Sequence, residues 1–95
     1  MAAYLVVSVE VTNPVGYQDY LKVVGATIEQ FGGKSLVRGG RTEVLEGEYT
    51  PKRFVMLEFA DAATAKAWWE SPEYAEAKRI RQANARSEMF IAEGV

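Results

Sequence analysis

Tyr4-Leu5-Val6-Val7-Ser8-Val9-Glu10-Val11 is rich in valine and alternates with a period of two. A run of this kind is a strand with two different faces. Leu5, Val7, Val9 and Val11 share one face, which is wholly apolar, while Tyr4, Val6, Ser8 and Glu10 share the other, where apolar and polar residues mix. Residues 53–59 have the same character: Val55, Leu57 and Phe59 face one way, and Phe54, Met56 and Glu58 face the other. Strands that are uniformly apolar on one face need a layer of other structure over that face.

The covering layer is legible on either side of these strands. Thr12 and Asn13 precede Pro14, a polar cap followed by proline at the first helical position, and a helix is predicted from there. Across residues 14–31 the apolar side chains Tyr17, Leu21, Val24, Ile28 and Phe31 recur at three- and four-residue steps, and Gly32-Gly33 ends the helix. Gly16 and Gly25 each weaken it by up to about 1 kcal/mol relative to alanine, so packing has to hold it. Residues 34–38 and 42–47, separated by Gly39-Gly40, read as a bent hairpin. After the strand at 53–59, Asp61 caps a short helix carrying Ala62, Ala65, Trp68 and Trp69. Ser71-Pro72-Glu73 then restarts the helix with a capping hydroxyl, a proline in the first turn and a carboxylate near the positive end of the helix dipole. That second piece runs to about residue 85, and residues 87–92, with Met89, Phe90 and Ile91, form a last strand. The order is βαββαβ. This predicts an α+β domain of ferredoxin-like build over residues 1–95, a sandwich with helices on one face of a mostly antiparallel sheet.

Composition bounds the function. A chain of 95 residues with 48% hydrophobic content makes one core and not two. Eleven Lys and Arg against thirteen Asp and Glu leave a formal charge of -2 and no basic stripe, so neither nucleic acid nor an anionic membrane surface is an expected partner. The apolar run at residues 2–9 has no basic residues before it and is closed by Glu10, which reads as a strand and not as a signal peptide. With no stretch of the ~20 apolar residues a membrane span requires and no cysteine to build a disulfide framework, a cytoplasmic location is expected. The chain also has no histidine. Thiolate nucleophiles, Ser-His-Asp triads, histidine-ligated haem and the usual zinc sites are removed together, and no cofactor is expected. Chemistry by Asp, Glu, Tyr, Lys, Ser or Thr survives, as do oxygen-ligand metals and reactions carried by the ligand itself.

The second face of the sheet decides the assembly. Tyr4, Val6, Phe54 and Met56 lie there, and no segment is left over to cover them. Stable monomers rarely expose more than a few hundred Å² of contiguous apolar surface. A second copy of the chain is the simplest cover, because a two-fold interface is self-complementary and two sheets can pack face to face. The same face carries Ser8, Glu10 and Glu58, whose carboxylates need partners once buried; Arg38, Arg41 and Arg53 are the expected cations.

Several short motifs occur in a fixed order: Phe31-Gly32-Gly33, Arg38-Gly39-Gly40, Leu45-Glu46-Gly47, Glu58-Phe59, Trp68-Trp69-Glu70-Ser71-Pro72-Glu73-Tyr74, Arg81 and the closing Glu93-Gly94-Val95. Together they resemble domain-of-unknown-function family 1330 over essentially the whole chain. The resemblance implies a ferredoxin-like subunit of the dimeric α/β-barrel superfamily, whose relatives include cofactor-independent monooxygenases, small isomerases and decyclases, haem-degrading enzymes and stress-responsive proteins. It supplies no catalytic residue set to transfer, and the absence of histidine speaks against haem degradation.

The candidate site residues therefore come from the chain's own chemistry. Tyr74 and Arg81 are seven apart in one helix and share a face, so a ring and a guanidinium converge where a small carboxylate or phenolate would fit; the plainer reading pairs Arg81 with a structural carboxylate and buries Tyr74 in the core. Trp68 and Trp69 are adjacent and cannot both be buried by the same helix face. At least one of them sits at a rim, a pocket or an interface, which leaves open which one faces a pocket; Trp69 is taken as the ligand-platform candidate, against a plainer role in core and dimer contacts. Glu58 is a candidate general base or, more plainly, an arginine-paired glutamate. Arg38 with Gly39-Gly40 is a candidate anion nest or simply a turn. Tyr20 flanks the apolar stripe of the first helix, packing in the core or lining a cavity above the sheet. A metal site on Glu10 and Glu58 has no supporting ligand spacing. The leading expectation is a homodimer that holds a small organic acid or aromatic compound between sheet and helices, acting as a cofactor-free acid-base enzyme through groups such as Glu58, Tyr74 and Arg81. Its rival is a non-catalytic interaction module in which the dimer alone is the functional unit.

Overall fold

A computed structural model describes residues 1–95. The elements are β1 (Ala3–Val11), α1 (Pro14–Gln30), β2 (Lys34–Arg38), β3 (Arg53–Phe59), α2 (Ala62–Glu70), α3 (Pro72–Asn84) and β4 (Ala85–Glu93). One sheet has the order β2-β3-β1-β4, antiparallel throughout. The two strands with a wholly apolar face, β1 and β3, are the central pair. Their register sets Leu5 opposite Leu57 and Val7 opposite Val55 on the helix side, and Val6 opposite Met56 on the other. The fold is the expected ferredoxin-like one; within the single chain the sheet is open and not closed into a barrel.

Each helix begins where its cap predicts. The Asn13 side chain accepts a hydrogen bond from the backbone N–H of Gly16 at 3.3 Å, and Pro14, which has no N–H to satisfy, starts α1. Asp61 takes both the N–H and the hydroxyl of Thr64, at 2.8 and 2.7 Å, at the head of α2. Ser71 serves two helices: its hydroxyl accepts from the Tyr74 N–H at 3.1 Å and donates to the Trp68 carbonyl at 2.7 Å. The resulting corner brings the Trp68 and Tyr74 rings to 4.0 Å between centroids. At the other end of α1, Gly32 turns the chain with φ of 70°, and Gly33 lets it pass close to the sheet: a Cβ there would lie 2.7 Å from Ile28 Cγ2 and 2.8 Å from the Phe59 ring.

Trp68, Tyr74, Phe59 and Leu5 are the largest fully buried side chains. Burial of each contributes about 1.5–3 kcal/mol. Helix α1 rests chiefly on α3 and only lightly on the sheet. Its N-terminal end is tied to the C-terminal end of α3, where the Asn84 carbonyl accepts from the N–H groups of Thr12 and Asn13 at 2.9 and 3.0 Å. Further along, Trp68 Nε1 donates to the Thr27 hydroxyl at 3.0 Å. The buried face of α1 is therefore Tyr17, Tyr20, Thr27 and Ile28, rotated from the predicted stripe, and Leu21 is exposed.

Two further expectations are corrected. Residues 42–47 form no strand. Val44 and Leu45 are adjacent and flanked by Glu43 and Glu46, so the run has no period-two face to bury; Leu45 is 91% exposed and Gly47 turns with φ of 89°. β2 pairs with β3 directly, across the irregular segment 39–52. The arginines expected to neutralise the carboxylates of the second face do not lie on it. Arg53 stands opposite Val9 and Arg38 opposite Val55, both on the helix side, whereas Arg41 falls in the irregular segment. The cross-strand neighbours of Glu58 are Tyr4 and Lys34, and that of Glu10 is Arg86. Finally, Glu58 is level with Tyr4, six residues along β1 from Glu10, a separation of roughly 20 Å; the two cannot share a metal ion.

Candidate functional site

Because α1 stands off the sheet, the space between them is not filled. A cavity of about 390 Å³ opens there, floored by Leu5, Val7, Val9, Val55 and Leu57 of the sheet and roofed by Tyr17, Tyr20, Val24 and Ile28 of α1. Trp68 closes the α2 side, and Arg38, Arg53 and Arg81 reach the cavity from β2, β3 and α3. Its volume lies in the range of sites that enclose small organic molecules.

The polar groups form a chain. Arg81, only 5% exposed, donates from Nε to the Tyr74 hydroxyl at 3.2 Å, and the Tyr74 and Tyr20 hydroxyls lie 3.0 Å apart. Tyr74 is fully buried and accepts from Arg81, so its own proton has one partner available, the Tyr20 oxygen. The chain thus runs from Arg81 through Tyr74 to Tyr20 and ends in the Tyr20 proton beside the cavity. Burial, reinforced by Tyr74, pushes the Tyr20 phenol far above its ordinary value, with the Arg81 charge only partly offsetting this. Burial also raises the Tyr17 phenol, against the opposing charges of Arg53 and Arg81. Both phenols are protonated donors at neutral pH. Arg81 has no carboxylate partner, contrary to the plainer expectation: the ion pairs, Lys22 with Asp19 and Arg79 with Glu76, lie on exposed helix surface.

Of the residues singled out in the sequence, Tyr20, Tyr74 and Arg81 are brought together, and Arg38 joins them at the mouth, where its side chain is exposed. Arg38 ends β2 and the chain bends at Gly39, which has φ of 69° and whose N–H is spent on the Phe54 carbonyl of β3 at 2.8 Å. Glu58 lies on the other face of the sheet, away from the cavity. Trp69 is half-buried outside it, over a shallow groove with Met89, Phe90 and Ile91; Lys78 Nζ sits 3.9 Å from its ring centroid and donates to its carbonyl at 2.9 Å. Trp68 is the tryptophan at the cavity. Two cavity residues escaped the sequence reading. Arg53 shares its strand parity with Val55 and Leu57, so a charge on an otherwise apolar face was the available signal. Tyr17 lies three residues before Tyr20 on the same helical face, and the rings are 5.4 Å apart.

Comparison with known proteins decides the family, because the family described as "Domain of unknown function (DUF1330)" matches residues 2–95. The chain belongs to DUF1330. None of the curated proteins matches this DUF1330 chain. Among solved structures it is similar to a protein of unknown function from Rhodopseudomonas palustris, with a TM-score of 0.79 and 20% identity, covering 99% of this chain and 82% of that one. It is also similar to a dimeric ferredoxin-like protein of unknown function from Jannaschia sp. CCS1, with a TM-score of 0.72 and 14% identity over 99% of this chain and 100% of the other. A third likeness is SnoaB, a cofactor-independent oxygenase from Streptomyces nogalater, with a TM-score of 0.65 and 12% identity over 99% and 93% of the two chains. At these identities the likeness establishes the DUF1330 chain's fold.

Proposed function

We propose that this DUF1330 protein is a homodimer that binds a small, partly apolar organic molecule in the cavity between α1 and the sheet. The observation that carries the reading is the cavity itself: about 390 Å³ of space inside a domain whose interior would otherwise pack to crystal-like density. Apolar walls suit an aromatic or aliphatic body, and a few convergent polar groups suit its orientation. The dimer is supported by the uncovered sheet face, where Tyr4, Val6, Phe54 and Met56 are half-buried and Phe90 is 60% exposed, and by the dimeric relative from Jannaschia.

Glu58 lies outside the cavity, which removes it as the base of an acid-base reaction there. A cofactor-independent reaction in this cavity would instead use phenol and guanidinium donors to stabilise charge developing on the ligand, a reaction class to which the SnoaB likeness lends the support of a shared fold and no more. The test is ligand-induced stabilisation across small aromatic and aliphatic acids together with their neutral amides and alcohols. Members of the panel are expected to raise the melting temperature at millimolar concentration; a flat response from all of them would end the binding reading.

A further inference from the structure

We infer that the cavity takes an organic anion, its carboxylate held by Arg81, Arg53 and Tyr17 and its apolar body laid against the sheet. The inference rests on the ligand-binding reading above and names the ligand's charge and orientation.

Arg81 is 5% exposed and faces the cavity, yet its guanidinium spends one nitrogen on the Tyr74 hydroxyl and meets no carboxylate. A buried cation without a counter-ion is costly, and the remaining N–H groups of this one are left for whatever enters the cavity. Arg53, which is half-buried, adds a second guanidinium at the cavity. Its Nε is buried with no hydrogen-bond partner, and its guanidinium packs directly on Gly39, a position whose missing Cβ leaves the room. The Tyr17 phenol lies near both arginines, whose charges act on it.

The cavity is also one-sided in its hydrogen bonding. Its three guanidiniums are pure donors, and the Arg81–Tyr74–Tyr20 chain ends in a further donor. The single carboxylate at the cavity, Glu29, is exposed at its mouth. A neutral polyol would need acceptors to match its own hydroxyls, and a cation would meet like charge. A carboxylate accepts only, is planar, and fits a guanidinium fork with two parallel bonds. Inorganic phosphate would satisfy the donors and leave the apolar floor of Leu5, Val7, Val55 and Leu57 bare.

The experiment uses the full chain with 2-naphthoate, with its neutral isostere 2-naphthamide and with inorganic phosphate, read by isothermal titration calorimetry and by thermal shift. Naphthoate is expected to bind at least about tenfold more tightly than the amide, and more tightly than phosphate, since a hydrogen-bonded charge pair is worth at least that factor. Arg81→Met is expected to remove this preference by weakening naphthoate binding at least about tenfold more than amide binding, whereas a purely structural arginine would weaken acid and amide alike. Arg53→Met is expected to reduce the preference in the same way and carries the mutational test should Arg81→Met not fold. Equal affinity for acid and amide overturns the anion inference and leaves the binding reading standing. Phosphate binding as tightly as naphthoate overturns the apolar body. Absence of binding by all three overturns the anion inference and the binding reading together.

Discussion

Tyr74 joins a buried cation to a buried phenol. Its hydroxyl accepts from Arg81 and lies 3.0 Å from that of Tyr20, and its ring is fully buried against those of Trp68 and Tyr20. Replacement by phenylalanine keeps the ring packing and strands both neighbours. Tyr74→Phe is therefore expected to destabilise the fold by about 1–3 kcal/mol, read as a lower urea midpoint at unchanged slope. Tyr20 gives a pH signature. Its phenol titrates near pH 10 in the unfolded chain and higher in the folded one, because burial disfavours the phenolate. Above pH 10 the unfolded state has lost a proton that the native state keeps, so stability falls as pH rises, by about 1.4 kcal/mol per unit for one such phenol. Urea unfolding between pH 9 and 11 is expected to show this loss, and Tyr20→Phe is expected to make it shallower; parallel wild-type and variant profiles would remove Tyr20 as the cause.

At the level of elements, the helix starts are where local chemistry is strongest, and the Ser71 hydroxyl caps α3 while closing α2. Ser71→Ala is expected to cost about 1–2 kcal/mol through the lost cap, and, because the corner seats Tyr74 against Trp68, to change the near-ultraviolet dichroism of the aromatic cluster as well. These starts were legible because Asn13-Pro14, Asp61 and Ser71-Pro72 each satisfy their own helix's free N–H groups within three residues. The strands were legible by alternation. The hairpin over 34–47 was misread for the complementary reason: a glycine pair between extended runs marks a turn, but the partner of a strand is chosen by long-range packing, and β3 outcompetes residues 42–47 because it offers Val55 and Leu57 to the core. Arg53 was missed as a site residue although its parity was visible, because the carboxylates of the opposite face offered it a more obvious role. A cavity above the sheet was an expectation at Tyr20, but its size was not legible. It exists because α1 leans on α3 and not on the sheet, a distance between two elements that no local pattern encodes.

For the molecule as a whole, the two faces of the sheet differ, and the proposed dimer would use the second. Val6 occupies its middle, paired in register with Met56 on one side and Phe90 on the other, while Lys34 stands opposite Glu58 towards one end and Glu88 and Arg86 stand opposite Ser8 and Glu10 towards the other. An apolar centre with a charged margin has the anatomy of a protein interface. In a free protomer Val6→Lys would extend a long side chain into solvent and leave the core beneath unchanged, since Leu5 and Val7 point the other way. In a face-to-face dimer the same substitution buries two like charges in the apolar part of the interface. The wild-type chain is therefore expected to sediment as a dimer at micromolar concentration, with a melting temperature that rises with protein concentration. Val6→Lys is expected to sediment as a monomer with an unchanged far-ultraviolet spectrum and a melting temperature independent of concentration. A wild-type protomer that sediments alone, or a lysine variant that pairs as tightly as its parent, would show that the face serves some other purpose.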